Sequence, residues 1–177
     1  MDAGGDVKHE YLGGEIVAMA GASPRHNLIA SNLTRLLGSA LERSPCRVLG
    51  SDQRVSAEAT GAFVYPDLSV VCSEPRFGAQ RPASLLNPVL IVEVLSRSTE
   101  DHDRGAKLAH YRRMDSVREV LLVEPNERRV EVYRRLDDGR WLITDVVAGT
   151  VSLESVEAEL PLDEVYAKTE GLPLDEL

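Results

Sequence analysis

Two acidic residues, Asp67 and Glu93, lie in apolar segments where a charged group is costly to bury. Glu93 interrupts the most hydrophobic run of the chain, residues 88–95, and Asp67 follows Pro66 at the head of a second apolar segment. On neighbouring strands, the two carboxylates could share one Mg²⁺ or Mn²⁺, with the main-chain carbonyl of Val94 as a third oxygen ligand. Such a metal would polarise a phosphoryl oxygen and lower the pKa of an attacking water. The pair therefore predicts a metal site suited to phosphodiester hydrolysis.

Each carboxylate also has a simpler interpretation when it is taken alone. Asp67 could be a turn residue that follows a proline, and Glu93 could end a strand and reach solvent or cap the next helix. His26, early on a predicted helix, could carry a proton or support a metal site, or it could be structural. Asp52 could close a turn between strands or orient a metal-bound water. It is the combination of Asp67 with Glu93 that favours a chemical role.

The pattern of apolar and turn residues predicts the elements that would position these side chains. A hairpin over 11–19 turns at Gly13-Gly14, and a helix over 24–43 begins at the N-cap Ser23. Further strands are predicted at 47–49, 53–55, 64–72, 88–95, 119–123, 129–134, 141–147 and 151–153, with a surface loop at 73–87 and helices at 100–114 and 161–167. A capping box at 98–101 would open the helix over 100–114. This order predicts an α/β fold, a mixed β-sheet core flanked by helices with additional β-hairpins, in a single domain over 1–177 whose core is about 11–167.

The composition is that of a soluble globular domain, with 43% hydrophobic and 28% charged residues. No apolar run approaches the roughly 20 residues that cross a bilayer, and the N-terminus lacks the basic and apolar regions of a signal peptide. We therefore expect a cytoplasmic protein without a membrane partner. Cys46 and Cys72 have neither metal-ligand spacing nor the pattern of a secreted scaffold, which predicts that both are reduced.

The net charge of −9 disfavours nucleic acid as a partner, because such proteins gain much of their affinity by neutralising phosphates. A local basic patch could compensate for this charge. Arginines do recur in the middle of the chain, at positions 112, 113, 118, 128, 129, 134 and 135. We interpret them as solvated faces of a helix and of strands.

The residues around the two carboxylates resemble the signature of the restriction-endonuclease-like superfamily. Pro66-Asp67 and, after 25 intervening residues, Glu93 are similar to its proline-aspartate and glutamate-x-lysine motifs. From Tyr11 to about Tyr166 the chain more closely resembles the Uma-two family of predicted restriction endonucleases. The stretches that carry this resemblance are Gly14-Glu15-Ile16, Ser23-Pro24-Arg25-His26-Asn27, Ser51-Asp52, Pro66-Asp67, residues 88–98, Asp103-Arg104-Gly105-Ala106-Lys107 with Tyr111, and Glu131-Val132-Tyr133. The resemblance implies a restriction-endonuclease-like fold and a metal held by Asp67 and Glu93.

The resemblance also implies a catalytic lysine, and this chain departs from the signature at that point. Leu95 stands where the signature has lysine, and the resemblance implies that Lys107, on the following helix, replaces it. Asp103, Lys107 and Tyr111 are spaced at i, i+4 and i+8, along one helix face, which makes Asp103 and Tyr111 further candidates for the site. Without the resemblance, Asp103 and Lys107 would be interpreted as an ordinary surface pair.

Three functions remain open from the sequence. The first is a Mg²⁺- or Mn²⁺-dependent endonuclease in which Asp67 and Glu93 hold the metal and Lys107 assists the nucleophile. The second is a non-catalytic binding or assembly module that retains the fold, which Leu95 and the acidic charge favour. The third is a metal-dependent hydrolase of another substrate. We also expect a homodimer, because a small acidic domain offers little surface for gripping a duplex and symmetric dimers are the commonest oligomers.

Overall fold

A six-stranded mixed sheet forms the centre of the computed structural model, which describes residues 9–18, 22–96 and 103–174. From one edge to the other its strands are β10 (Trp141–Val146), β9 (Val130–Arg135), β8 (Glu119–Val123), β7 (Leu90–Val94), β6 (Leu68–Val71) and β3 (Arg47–Gly50). β7 and β8 run parallel, and the other neighbours run antiparallel. Every residue of β7 and β8 is buried, as expected for strands that are covered on both faces. The predicted α/β fold with a mixed sheet is confirmed.

One face of this sheet packs against α1 (Pro24–Ala40). The helix begins as predicted, with Pro24 in its first turn and the Ser23 side chain accepting a hydrogen bond from the His26 N–H at 3.1 Å. Ile29 and Leu33 point inward and are fully buried. The same face is covered by a C-terminal hairpin and a short helix: β11 (Thr150–Leu153), β12 (Ala158–Pro161) and α3 (Leu162–Val165).

The opposite face packs against a four-stranded sheet and the segment that connects β7 to β8. In order, the strands of this second sheet are β2 (Glu15–Ala18), β1 (His9–Leu12), β5 (Ala62–Val64) and β4 (Val55–Ala57), with a 3₁₀ turn at Glu58–Thr60. The connecting segment contains a π-helical turn, Asp103–Lys107, which continues into α2 (Leu108–Tyr111). Together these elements cover the side of the central sheet on which Glu93 lies.

The predicted hairpin at Gly13-Gly14 and the central strand at 88–95 are confirmed. The single strand predicted over 64–72 is wrong, because Tyr65 and Pro66 separate β5 from β6. The Tyr65 N–H donates to the Glu10 carboxylate rather than to a sheet, and proline has no N–H to donate. The strand predicted at 53–55 lies at Val55–Ala57 instead. The loop at 73–87 is not wholly on the surface, since Leu85 is fully buried.

The helix predicted over 100–114 is also corrected. Its predicted capping box at 98–101 lies outside the described residues. From Asp103 onward the segment is a π-helical turn followed by one α-helical turn that ends at Tyr111. Periodicity alone does not separate these two kinds of turn, because they differ in the backbone hydrogen bond, which spans five residues in a π-helical turn and four in an α-helical turn.

The prediction that both cysteines are reduced is wrong, because Cys46 and Cys72 form a disulfide. The antiparallel register of β3 and β6 pairs Arg47 with Val71, so the residues just beyond them, Cys46 and Cys72, stand opposite each other. Their separation of 26 positions in the sequence hides this pairing.

β10 forms one edge of the central sheet and is hydrogen-bonded to β9 along its full length. Its Leu142 and Ile143 are about half exposed, at 46% and 56%. Within the described residues, no helix has the length and apolar character needed to cross a membrane.

Candidate active site

Asp67 and Glu93 face each other across two strands. Asp67 immediately precedes β6, and β6 pairs with β7 so that Leu68 stands opposite Val92, which brings Asp67 level with Glu93. The Asp67 Oδ2 atom accepts a hydrogen bond of 2.7 Å from the backbone N–H of Val94. The structure thus places the two predicted ligands side by side, with the Val94 main chain beside them.

Glu93 is buried, with 3% of its surface exposed, and it is held by two donors. Its Oε1 atom accepts a 2.6 Å hydrogen bond from the Tyr111 hydroxyl and lies 2.9 Å from the Lys107 ammonium. Burial raises the pKa of Glu93 to about 8, since the pull of Lys107 only partly offsets the loss of hydration and the nearby Asp103 and Asp67 carboxylates raise it further. A raised carboxyl pKa of this kind is typical of functional sites.

Lys107 lies at the centre of three carboxylates. Its Nζ atom is 2.9 Å from Glu93 Oε1, 3.1 Å from Glu10 Oε1 and 3.1 Å from Asp103 Oδ1. Burial lowers the pKa of Lys107, but the carboxylates outweigh it and hold that pKa above its usual value, so the ammonium stays charged. The interpretation of Asp103 and Lys107 as a surface pair is wrong, because both residues are buried.

Tyr111 completes this arrangement from α2. The residue is fully buried, and burial together with the Glu93 carboxylate raises the pKa of its hydroxyl well above the usual value. Tyr111 is therefore a hydrogen-bond donor to Glu93 over the physiological range. The π-helical turn and α2 deliver Asp103, Lys107 and Tyr111 to one place.

Glu10 is the residue of this cluster that the sequence reasoning missed. It lies on β1, is 4% exposed, and its Oε1 atom accepts the Tyr65 N–H at 2.8 Å as well as facing Lys107. The signal was the alternation of the strand, in which Glu10 and Leu12 point inward while their neighbours point outward. Like Glu93, a carboxylate on the buried face of a strand is costly to bury and is therefore a candidate for a functional role.

His26 and Asp52 take different positions. His26 Nε2 lies 3.3 Å from Asp67 Oδ2, so α1 brings it into contact with the site. Asp52 lies in an exposed turn after β3, as a turn-forming aspartate would. Since Gly50 of β3 pairs with Leu68, this turn is at the same edge of the sheet as Asp67.

The donor set fits a hard divalent cation that keeps several waters. Asp67 Oδ2 and Glu93 Oε1 are occupied by the contacts above, whereas Asp67 Oδ1 and Glu93 Oε2 accept no hydrogen bond from any residue in the described ranges. Mg²⁺ and Mn²⁺ favour oxygen ligands of this kind. Within residues 9–18, 22–96 and 103–174, no group of three or more His, Cys, Asp or Glu side chains is arranged to hold a metal ion. A metal here would thus depend on two carboxylates, backbone oxygen and water.

Solvent reaches this cluster from the side of Asp67. The Asp67 side chain is 17% exposed and that of His26 is 11% exposed, while those of Glu93, Lys107, Glu10 and Asp103 lie between 4% and 6%. A substrate or a hydrated metal would therefore approach between the N-terminus of α1 and the start of β6.

Comparisons with known proteins agree with this architecture. The chain is 35% identical over 147 residues to Uncharacterized protein sll1609 of Synechocystis, covering 83% of each chain. It is also 35% identical over 160 residues to Uncharacterized protein slr1290 of the same organism, covering 90% of this chain and 83% of the relative. Among solved structures it is similar to a protein from Anabaena variabilis, described as a putative nuclease belonging to DUF820. The TM-score is 0.74 at 18% identity, with 93% of each chain covered, and this likeness shows the fold.

The family comparison covers most of the sequence. Residues 1–164 match the model of the Uma2 family, whose description is "Putative restriction endonuclease". The match includes every member of the buried cluster, from Glu10 to Tyr111. The chain therefore belongs to the Uma2 family.

Proposed function

We propose that this protein is a metal-dependent nuclease that hydrolyses phosphodiester bonds of nucleic acid, with Mg²⁺ or Mn²⁺ held by Asp67 and Glu93. The observation that carries the proposal is the contact of the Lys107 ammonium with the buried Glu93, which stands level with the partly exposed Asp67; these three residues come from three segments of the chain. Buried charges cost stability and are often kept for chemistry. The family description and the nuclease-like fold support the same activity.

The reaction adds water across one ester bond: the water oxygen bonds to phosphorus, and the ester oxygen leaves and takes up a proton. When bound, the metal supplies the positive charge that polarises the phosphoryl oxygen and favours hydroxide near neutral pH. Asp67 is prepared for binding because the Val94 N–H and His26 hold its Oδ2 atom. Glu93 is prepared because Tyr111 and Lys107 hold its Oε1 atom.

Lys107 contributes a fixed positive charge beside the two ligands. Three carboxylates position its ammonium, so little reorganisation is needed when negative charge develops on the phosphate. The ammonium is also placed to orient a water molecule that approaches Glu93. In this proposal Lys107 takes the catalytic role of the lysine that is absent from position 95.

One observation favours a second candidate, a non-catalytic binding or assembly module that retains the fold. The Lys107 ammonium already lies among Glu10, Glu93 and Asp103 and balances part of their charge. The lysine would then be the structural counter-ion of the cluster. The two candidates differ in whether a divalent cation binds beside Asp67.

Calorimetric titration with Mn²⁺ and Mg²⁺ separates these candidates. The wild type is compared with Asp67→Asn and with the control Asp163→Asn, which removes a carboxylate that is 90% exposed and pairs with Arg128 on the surface. We expect wild type and control to bind one metal alike and Asp67→Asn to bind it at least tenfold more weakly. Cleavage of single- and double-stranded DNA and RNA is expected to follow the same order. If neither metal binds and no nucleic acid is cut, the nuclease proposal is wrong and the module remains.

A further inference from the structure

The seven arginines between positions 112 and 135 divide into two groups. Three pair with carboxylates: Arg128 with Asp163, Arg129 with Glu131 and Asp145, and Arg134 with Glu119 and Glu154. In the part of the chain that the structure describes, the other four have no carboxylate oxygen within 4.0 Å of their nitrogens: Arg112, Arg113, Arg118 and Arg135. In a chain of net charge −9, four arginines without an ion pair in one region need an explanation.

Two of these arginines, Arg112 and Arg135, lie against the ring of Trp141, and Arg118 is joined to Arg135 through the backbone; we call Arg112, Arg118, Arg135 and Trp141 the arginine patch. The guanidinium carbons of Arg135 and Arg112 lie 4.9 and 5.6 Å from the centre of the Trp141 ring. The Arg135 guanidinium donates to the main-chain carbonyls of Arg112 at 2.7 Å and Met114 at 2.9 Å. The backbone N–H of Arg135 donates to the Arg118 carbonyl. The patch is therefore a defined arrangement rather than a group of loose side chains.

The guanidinium groups of the patch repel one another electrostatically. Burial lowers the pKa of Arg135, Asp115 opposes this effect, and Arg118 and Arg112 lower the pKa further through repulsion. The Nε atom of Arg135 is buried and has no hydrogen-bond partner among the described residues. An anion that approached the patch would relieve the repulsion between the guanidinium groups.

The patch is connected to the candidate active site by the chain itself. Tyr111 donates to Glu93, and the next residue, Arg112, stacks on Trp141. The Arg118 N–H donates to the carbonyl of Val89, which directly precedes β7 and lies four residues before Glu93, so the Arg118 backbone lies about 13 Å from Glu93 along the strand direction. At about 3.4 Å per nucleotide, four nucleotides of one strand span that distance.

We infer that the arginine patch binds the phosphate backbone of the nucleic acid that the candidate active site cuts, an inference that rests on the proposed function. Guanidinium groups match phosphate oxygens with two parallel N–H donors, which makes arginine well suited to this contact. A local patch also resolves the conflict between an acidic protein and an acidic substrate, because contacts within about a Debye length outweigh the distant net charge. An acidic protein partner would not require the patch to lie within about four nucleotides of the carboxylates.

The test measures oligonucleotide binding by fluorescence anisotropy in EDTA, so that no cleavage occurs. Single strands and duplexes of about 20 nucleotides are titrated between about 50 and 200 mM salt. Arg112→Gln/Arg118→Gln is compared with the control Arg35→Gln/Arg128→Gln, which removes the same charge from arginines that pair with Glu164 and Asp163. Because the first variant removes two guanidinium groups that would each bind a phosphate, we expect a salt slope smaller by about 1.4 for single strands and about 1.8 for duplexes. At about 0.1 M salt this corresponds to binding about 25- to 60-fold weaker than that of the control.

Two further measurements keep the outcomes distinct. Arg112→Lys/Arg118→Lys retains the charge and is expected to retain the salt slope. Hydrolysis of bis(4-nitrophenyl) phosphate with Mn²⁺ needs no extended surface, so the glutamine variant is expected to match wild type. If the glutamine variant and the control bind equally, or wild type does not bind at low salt, the patch inference is wrong even where the small diester is hydrolysed. If the patch binds oligonucleotide and the small diester is not hydrolysed, the patch stands and the nuclease proposal fails.

Discussion

Replacing Lys107 with methionine tests the physical basis of the buried cluster. The substitution keeps an unbranched apolar stem of nearly the same length and removes the charged ammonium with its N–H donors. The Lys107 side chain is 6% exposed and has three carboxylate oxygens within 2.9 to 3.1 Å. Without the ammonium, Glu10, Glu93 and Asp103 would face one another in a poorly hydrated space.

The expected cost follows from that geometry. Removing one partner of a buried ion pair destabilises proteins by about 3 to 5 kcal/mol, and we expect this loss near pH 8. At about pH 5 the loss is smaller, because the carboxyls can take up protons. The sign follows from linkage: burial already raises the pKa of Glu93 to about 8 from an unfolded value of 4.5, so the folded state holds a proton that the unfolded state releases between these values. Stability therefore falls as pH rises through this window, and more steeply in the variant.

Urea denaturation at the two pH values measures this effect. With an m-value of about 2 kcal/mol/M, the variant's midpoint is expected to fall by about 1.5 to 2.5 M near pH 8. Lys168→Met is the matched control, since it removes the same charge from an exposed position and is expected to change stability by less than about 0.5 kcal/mol. A loss at Lys107 below about 1 kcal/mol, or one that does not grow with pH, would refute the reasoning.

Three other predictions concern buried carboxylates. Glu119→Ala is expected to lower the free energy of unfolding by about 3 to 5 kcal/mol in thermal denaturation, because Glu119 is fully buried and bonded to Arg134 and Ser155. A loss below about 1 kcal/mol would contradict its role in joining β8 to the C-terminal hairpin. Mn²⁺ affinity should rise roughly tenfold per pH unit up to about pH 8 and level off above it, because a metal bound by Glu93 would have to displace its proton. A calorimetric affinity that does not change with pH would argue against Glu93 as a ligand. Tyr111→Phe should lower the free energy of unfolding by about 1.5 to 3 kcal/mol. It should also move the midpoint of the Mn²⁺ affinity profile to higher pH, since the Tyr111 hydroxyl lowers the pKa of Glu93. An unmoved midpoint would show that this hydrogen bond does not act on the metal site.

The parts of the fold that could be predicted from sequence are those decided by neighbouring residues. The turn at Gly13-Gly14 and the start of α1 at Ser23 follow from local conformation and capping, and both are confirmed. The break at Pro66 and the Cys46–Cys72 disulfide depend on which strands become neighbours. That choice is made by the whole core, so no short window of sequence contains it.

The candidate site shows the same division. The anomaly of a glutamate in an apolar strand was visible at Glu93, and its pairing with Asp67 was suggested by the cost of burying both carboxylates together with the family resemblance. The contact of Lys107 with Glu10 was not visible, since nearly a hundred residues separate them and the second sheet folds back over the first. Roles in metal binding, and the expected homodimer, stay predictions until they are measured.

The parallel pairing of β7 and β8 has a consequence for how the chain folds. Antiparallel strands can close through a tight turn, but a parallel pair must wait for its connecting segment to cross the sheet, which makes the contact slow to form. Here that segment carries Lys107, Tyr111 and Arg112. The chain must therefore extend to Val123 before the complete β8 can pair with β7 and fix that segment against the sheet. Because Lys107 contacts carboxylates on β1 and β7, the charged cluster joins the second sheet, the connecting segment and the central sheet at one point.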